Sequence, residues 1–172
     1  SNAHENQWSV RNPISDIAAM RAFFPALVSA AEIVGSTAPL ISDIKADIPK
    51  LPDLPRTNTG RNQATTPSSD STNIFAYSAQ PTAQVHNVEN DDLEPVWPYD
   101  LVSDTDANLL ALAKRTYTSR AFKDNLDWSV DALQAARLGL SSEVPARIKA
   151  TVDKYQVYAC GLAAWDPAKL NA

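Results

Sequence analysis

Residues 12–35 read NPISDIAAMRAFFPALVSAAEIVG, and this stretch decides the fold class. Ile14, Ile17, Phe24, Leu27, Val28, Ala31 and Val34 recur at helical spacing while Asp16, Arg21, Ser29 and Glu32 fall largely elsewhere, so one buried face is expected. Both ends carry signals. Asn12 is an N-cap candidate, Pro13 suits the first helical position because its missing N–H costs nothing there, and Gly35 supplies a C-terminal stop. Pro25 removes one backbone donor and crowds the carbonyl of Arg21, which predicts a kink. A second helix is expected from about Thr37 to Lys50, with Leu40, Ile41, Ile44, Ile48 and Leu51 on one side and Pro52 and Pro55 ending it. The pair makes an αα-hairpin.

Beyond the hairpin the pattern breaks down. Residues 52–102 have no helical period, and from Arg56 to Asn73 there is no aliphatic side chain larger than Ala. A connection this long inside an ordered domain is either mobile or serves a site. Two short apolar runs in it, Asn73 to Tyr77 and Val85 to Val88, are candidates to pair as small strands. Three more helices are expected. Ser103 with Asp106 forms a capping box for a helix to about Arg120 that packs through Leu109, Leu110, Leu112, Ala113, Thr116 and Tyr117. Asp127 or Ser129 caps a shorter helix, Val130 to Leu138, stopped by Gly139. Ser141 or Ser142 starts the fifth, with Pro145 in the permitted first turn and a stripe of Ile148, Val152 and Tyr155.

The expected fold class is therefore all-α, with about five helices in antiparallel hairpins and one long irregular loop. Residues 12–51 form the hairpin, 52–102 the loop and 103–160 a three-helix segment, all within one helical region spanning 4–172. Ser1-Asn2-Ala3 reads as the scar of a removed tag, and His4 in place of Met after it implies an open reading frame that begins upstream.

Composition narrows the chemistry. Apolar residues at 44% and charged residues at 20% are globular values, against a disordered, collagenous or disulfide-framed chain. Twelve prolines against four glycines punctuate the helices. A net charge of -5 without a cluster of Lys or Arg lacks the footprint of nucleic-acid binding. Cys160 is the lone cysteine, read as a small buried hydrophobe, and His4 and His86 are the only imidazoles. A Cys/His zinc site is excluded by counting, and no metal or cofactor is expected. No stretch approaches the roughly 20 apolar residues that span a bilayer and no basic-then-apolar leader opens the chain, so no membrane partner is expected.

Chemistry is densest between residues 86 and 100. Glu89, Asp91, Asp92, Glu94 and Asp100 lie beside Trp97 and Tyr99, and a glycoside hydrolase needs two carboxyls about 5 to 10 Å apart with aromatic platforms for sugar faces. His86, Asn87, Glu89 and Asn90 suit a polyhydroxylated ligand, because they donate and accept hydrogen bonds. The same run also reads as a solvated loop with Trp97 and Tyr99 tucked over the core. Trp128 either anchors the core or faces the same end as the His86 loop. Arg137 is expected to pair with a buried carboxylate or carbonyls. The acid spacing matches no EF-hand loop.

Three strings resemble the late catalytic domain of inverting α-L-fucosidase-like glycoside hydrolases, whose fold is an (α/α)6 toroid of twelve helices. His86-Asn87 through Val96-Trp97-Pro98-Tyr99 resembles the family's His-containing loop leading into an aromatic-Pro-Gly turn, with Tyr99-Asp100 standing where the family has Pro-Gly. Ala113-Lys114-Arg115-Thr116-Tyr117-Thr118-Ser119-Arg120 is similar to the following helix. Trp128-Ser129 through Ala135-Ala136-Arg137-Leu138-Gly139 is similar to the next, which in the family begins Gly-Trp-Ser. The opening hairpin, Phe23-Phe24-Pro25-Ala26-Leu27 through Ile33-Val34-Gly35, is similar to an earlier barrel pair. About two thirds of the chain is covered.

The resemblance implies a general-acid Glu before residue 4 and a general-base Asp after residue 172, and five helices cannot close a toroid of twelve. The expected function is thus that of a glycoside hydrolase fragment, inactive alone, contributing substrate-side contacts from His86, Asn87, Glu89, Asn90, Trp97 and Trp128. Its expected partners are carbohydrate, a second copy or the remaining barrel segments, and its implied location is extracellular or periplasmic. The alternative is a small non-enzymatic helical module that binds a protein or glycan through the loop from His86 to Tyr99.

Overall fold

The computed structural model describes residues 2, 6–57, 73–80, 83–124 and 129–161. Within them lie five α-helices, α1 (Ile14–Ile33), α2 (Pro39–Asp47), α3 (Ala107–Ser119), α4 (Asp131–Arg137) and α5 (Glu143–Tyr155), and one two-stranded antiparallel sheet of β1 (Arg56–Thr57) and β2 (Ile74–Phe75). The class is all-α. α1 packs on α2 and α4 on α5, as consecutive hairpins, while α3 lies against β2 and against a 3-10 turn, Asp91–Leu93, that also touches α1. The core joins Ile14, Ile17 and Ala18 of α1 to Leu112, Ala113 and Tyr117 of α3 and to Ala135 and Leu138 at the end of α4. Phe75, Leu93 and Val96 complete it, so the stretch between the two helical halves supplies fully buried side chains and is more than a surface connection.

α1 begins and ends as its punctuation dictates, with one change. Asn12 is not the cap. It sits at a φ of 50° and Pro13 occupies the N-cap position, while the first free donor, Ile14 N–H, is taken by the Tyr77 carbonyl at 2.8 Å. At the other end Gly35, with φ +66°, lets Ser36 N–H reach Ala31 O at 2.9 Å and Gly35 N–H reach Glu32 O at 3.2 Å, both bonds of a Schellman motif. Gly139, φ +69°, ends α4 the same way through Leu140 N–H to Ala135 O and Gly139 N–H to Ala136 O.

The expected apolar faces are only half used. Along α1 Ile14, Ile17, Val28 and Ala31 are buried, but Ile33 and Val34 are 86% and 78% exposed, Phe23 is exposed, and α2 buries no residue. The far end of the hairpin extends past the core that holds its near end. α1 is also long and apolar enough to cross a bilayer by length and composition, which corrects the expectation that no stretch comes near that size. A core helix meets the same criterion, and a third of the apolar window is buried in the protein. On α5 Tyr155 is buried while Ile148 and Val152 are exposed, so the expected stripe packs only at its C-terminal end. Cys160 is exposed, contrary to its reading as a buried hydrophobe.

Two local expectations need correction. Ile74–Phe75 pairs with Arg56–Thr57, in the register Arg56 opposite Phe75 and Thr57 opposite Ile74, and not with Val85 to Val88. The latter run is claimed by the N-terminal arm, whose Asn6 carbonyl accepts from His86 N–H at 2.8 Å. Phe75 N–H donates to Thr116 Oγ1 of α3 at 2.9 Å. The cap of α3 is Asp106, whose carboxylate accepts from Asn108 and Leu109 N–H at 3.1 and 2.9 Å, whereas Ser103 spends its hydroxyl on Thr105. Asp106→Ala should therefore lower stability by about 1 kcal/mol and Ser103→Ala by less than about 0.5. Equal losses on thermal unfolding would restore the capping box.

Candidate functional site

Residues 83–90 lack regular structure of their own and are positioned by the N-terminal arm. Asn6 Nδ2 donates to Glu89 O at 2.6 Å, Gln7 Nε2 donates to Ala83 O at 3.2 Å, and Gln7 Oε1 accepts from Ser78 Oγ at 2.7 Å. Tyr77 OH adds a second donor to Glu89 O at 3.2 Å. The Trp8 indole stacks on the His86 imidazole, centroids 4.0 Å apart and planes 6° from parallel. Asn6, Gln7 and Ser78 are fully buried, so these bonds run through the protein interior, where they are strong and specific.

After the 3-10 turn the chain coils once more, with Val96 and Trp97 N–H both on Leu93 O, and passes through a cis Trp97-Pro98 bond. Leu93 and Val96 point into the core, and this registers Asp91, Glu94 and Trp97 on the other side. These three border a cleft of about 220 Å3 whose remaining wall comes from Phe122 and the start of α4, including Asp131 and Gln134. Asn90 clamps the two walls together, its Nδ2 donating to Phe122 O at 2.6 Å and its Oδ1 accepting from Phe122 N–H at 3.2 Å.

The cleft is lined by acidic side chains. Burial, reinforced by the neighbouring Glu94, Glu89 and Asp92, pushes the Asp91 carboxyl up to about 8, while a hydrogen bond with Asn6 works the other way. Glu94 is pushed up to about 8 by burial, with Glu89 and Asp16 of α1 adding to the shift. Burial also raises the Tyr99 phenol. Asp131 has a counter-ion, Arg120 Nε lying 3.1 Å from its Oδ2, with both side chains almost fully buried. The same oxygen accepts from Asp124 N–H at 3.0 Å. Two buried polar atoms bordering the cleft, Asp91 Oδ2 and Gln134 Oε1, have no hydrogen-bond partner among the described residues.

No family model, curated protein or solved structure matches this chain.

Of the predicted site residues, Glu89, Asn90 and Trp97 border the cleft. His86 and Asn87 do not: the imidazole is stacked on Trp8, and Asn87 Oδ1 accepts from Val88 N–H at 2.8 Å. Both polar ends of Asn90 are consumed by the Phe122 backbone, which makes it a positioning residue. Trp128 lies outside the described residues, as does Asp127. Arg137 is exposed, pairs with Asp100 and stands 5.5 Å from the Trp97 ring centre, contrary to the expected buried partner. Arg120 does have one, the buried Asp131. Asp91 and Glu94 were visible as acids, and the buried pair Leu93 and Val96 between and after them was the signal that both turn inward. Gln134 and Phe122 had no local signal. Among the described residues no three His, Cys, Asp or Glu side chains group so as to hold a metal ion.

Proposed function

We propose that the chain is a segment of a carbohydrate-active enzyme, an inverting α-L-fucosidase-like glycoside hydrolase, and that its cleft supplies substrate-side contacts. The observation that carries this reading is the cleft itself, where the half-buried indole of Trp97 shares a small volume with carboxyl and amide groups. A sugar ring has an apolar C–H face for the first and a hydroxyl rim for the second. The exposed apolar residues Ile33, Val34, Ile148 and Val152 support the segment reading, since further helices would bury them. So does Asp100, whose φ of 52° is the kind of backbone that glycine favours, at the position where the family has glycine.

Asp91 and Glu94, with carboxyls raised to about 8, are both protonated at neutral pH. An inverting site needs one carboxylate charged to activate water while the other protonates the leaving oxygen, so this pair does not form a working acid and base. The segment alone is inactive in this reading, and an extracellular or periplasmic location goes with it.

Ligand-observed NMR with a panel of monosaccharides should show saturation transfer to sugar protons that Trp97→Ala reduces about tenfold. The purified chain should leave aryl-glycosides intact. Turnover would overturn the inactivity, and no sugar contact at millimolar ligand would overturn the carbohydrate reading.

The closed core running from Ile14 to Leu138 favours a second reading, a small non-enzymatic helical module. Size-exclusion scattering separates them, with a compact monomer supporting the module and self-association through the open faces supporting the segment.

A further inference from the structure

The charged side chains of the cleft are of one sign. Glu89, Asp91 and Glu94 bring carboxyl oxygens and Gln134 brings its carbonyl oxygen, while no Lys, Arg or His among the described residues borders it. The nearest cations are committed elsewhere, Arg120 to Asp131 behind the wall and Arg137 to Asp100 outside it. Two of the acceptors belong to side chains only 3% and 2% exposed, Asp91 and Gln134, and their Oδ2 and Oε1 atoms have no hydrogen-bond partner among the described residues. They come from different elements, the 3-10 turn and α4, and border the same volume.

We propose that this cleft binds an amino sugar, with the ligand's ammonium group donating to Asp91 Oδ2 and Gln134 Oε1 and its ring lying against Trp97. The inference rests on the carbohydrate reading and narrows it. An ammonium has three donors and a positive charge, the complement of Gln134 Oε1 and of an Asp91 carboxylate that has given up its proton, whereas a neutral sugar hydroxyl brings no charge to hold that carboxylate ionised. A metal ion is the weaker fit, because among the described residues no three His, Cys, Asp or Glu side chains group to coordinate one. A bare alkylammonium leaves the aromatic walls of Trp97 and Phe122 without a partner.

The charges around the site act in one direction. Asp91 faces Glu94, Glu89 and Asp92, and Glu94 faces Glu89 and also Asp16 of α1, so the carboxyls retain a proton that a bound cation makes unnecessary. Binding at neutral pH then transfers the Asp91 proton to the buffer and leaves an ammonium-carboxylate pair in its place.

The test is calorimetric titration of the full chain at pH 7 with glucosamine and galactosamine, their N-acetyl counterparts, L-fucose, propylammonium and calcium chloride, in buffers of differing ionisation enthalpy. Amino sugars should bind about tenfold tighter than their N-acetyl forms and release about one proton. Asp91→Asn should abolish the proton release, and Gln134→Leu should weaken binding about tenfold with proton release retained. Circular dichroism and melting show that each variant is folded. N-acetyl sugars or L-fucose binding as tightly as the amines overturns the cation inference and leaves the carbohydrate reading standing. Failure of every sugar overturns both. Propylammonium or calcium binding as tightly as the amino sugars overturns the role of the ring.

Discussion

Arg120→Ala should lower the stability of the protein by about 3 to 5 kcal/mol, read as a fall in the urea midpoint at pH 7. Its guanidinium is 3.1 Å from the Asp131 carboxylate, with the two side chains 3% and 4% exposed. It also donates to Tyr117 O at 2.7 Å and lies 3.8 Å from the Tyr117 ring centre. Truncation leaves the Asp131 charge buried without its counter-ion and a void beside the ring, and the charge dominates, because desolvation of an unpaired carboxylate exceeds the loss of packing. Arg120→Met with Asp131→Leu removes both charges and should recover most of the loss. A single variant within about 1 kcal/mol of the parent would show that the pair is solvated in solution.

Asp91→Asn should stabilise the protein at alkaline pH and do little at acid pH. With the native carboxyl at about 8 and the ordinary value at 3.8, the folded state holds a proton that the unfolded chain has lost throughout the window between them. The slope of unfolding free energy against pH follows protons bound in the unfolded state minus those bound in the native state, which is negative here, so stability falls as pH rises from about 4 to about 8. Asparagine cannot ionise and escapes that fall. Its advantage should grow across the window to the order of 6 kcal/mol above pH 8, and Glu94→Gln should remove a further part of the slope. Denaturant titrations at pH 5, 7 and 9 check this. A parent protein equally stable at all three would show that Asp91 is ionised in the native cleft.

The helices were legible because their ends are chemically marked. Pro13, Gly35, Gly139 and Pro145 each stand where a helix begins or stops, and both glycines take the left-handed conformation that the stop requires. Caps were less so. The donor at Ile14 is satisfied by Tyr77, far along the chain, and local sequence cannot show a partner of that kind. Periodicity showed which residues of α1 and α5 are apolar but not whether anything covers them: the far end of α1 and, between Val144 and Tyr155, Ile148 and Val152 of α5 are left bare. At the cleft, Glu89 and Trp97 were reached through residue type and clustering. Gln134 was not, because a lone glutamine on an amphipathic helix looks solvated, and its burial comes from the packing of α4 against distant elements. His86 was expected to contact a ligand and instead stacks on Trp8, a residue in an arm whose place in the fold nothing local predicts.

That arm has a consequence for how the protein assembles. Asn6 reaches a partner 83 residues away, Gln7 one 76 residues away, and Gln7 also receives Ser78 across 71. Helical turns form within microseconds from neighbours in sequence, whereas contacts of this span wait for two remote parts of the chain to meet, and the entropy of closing so long a loop must be overcome before any of these bonds is made. The helices can therefore form early while the cleft stays open. The wall formed by residues 83–90 is completed only when residues 6–8 are laid across it and hold it in place.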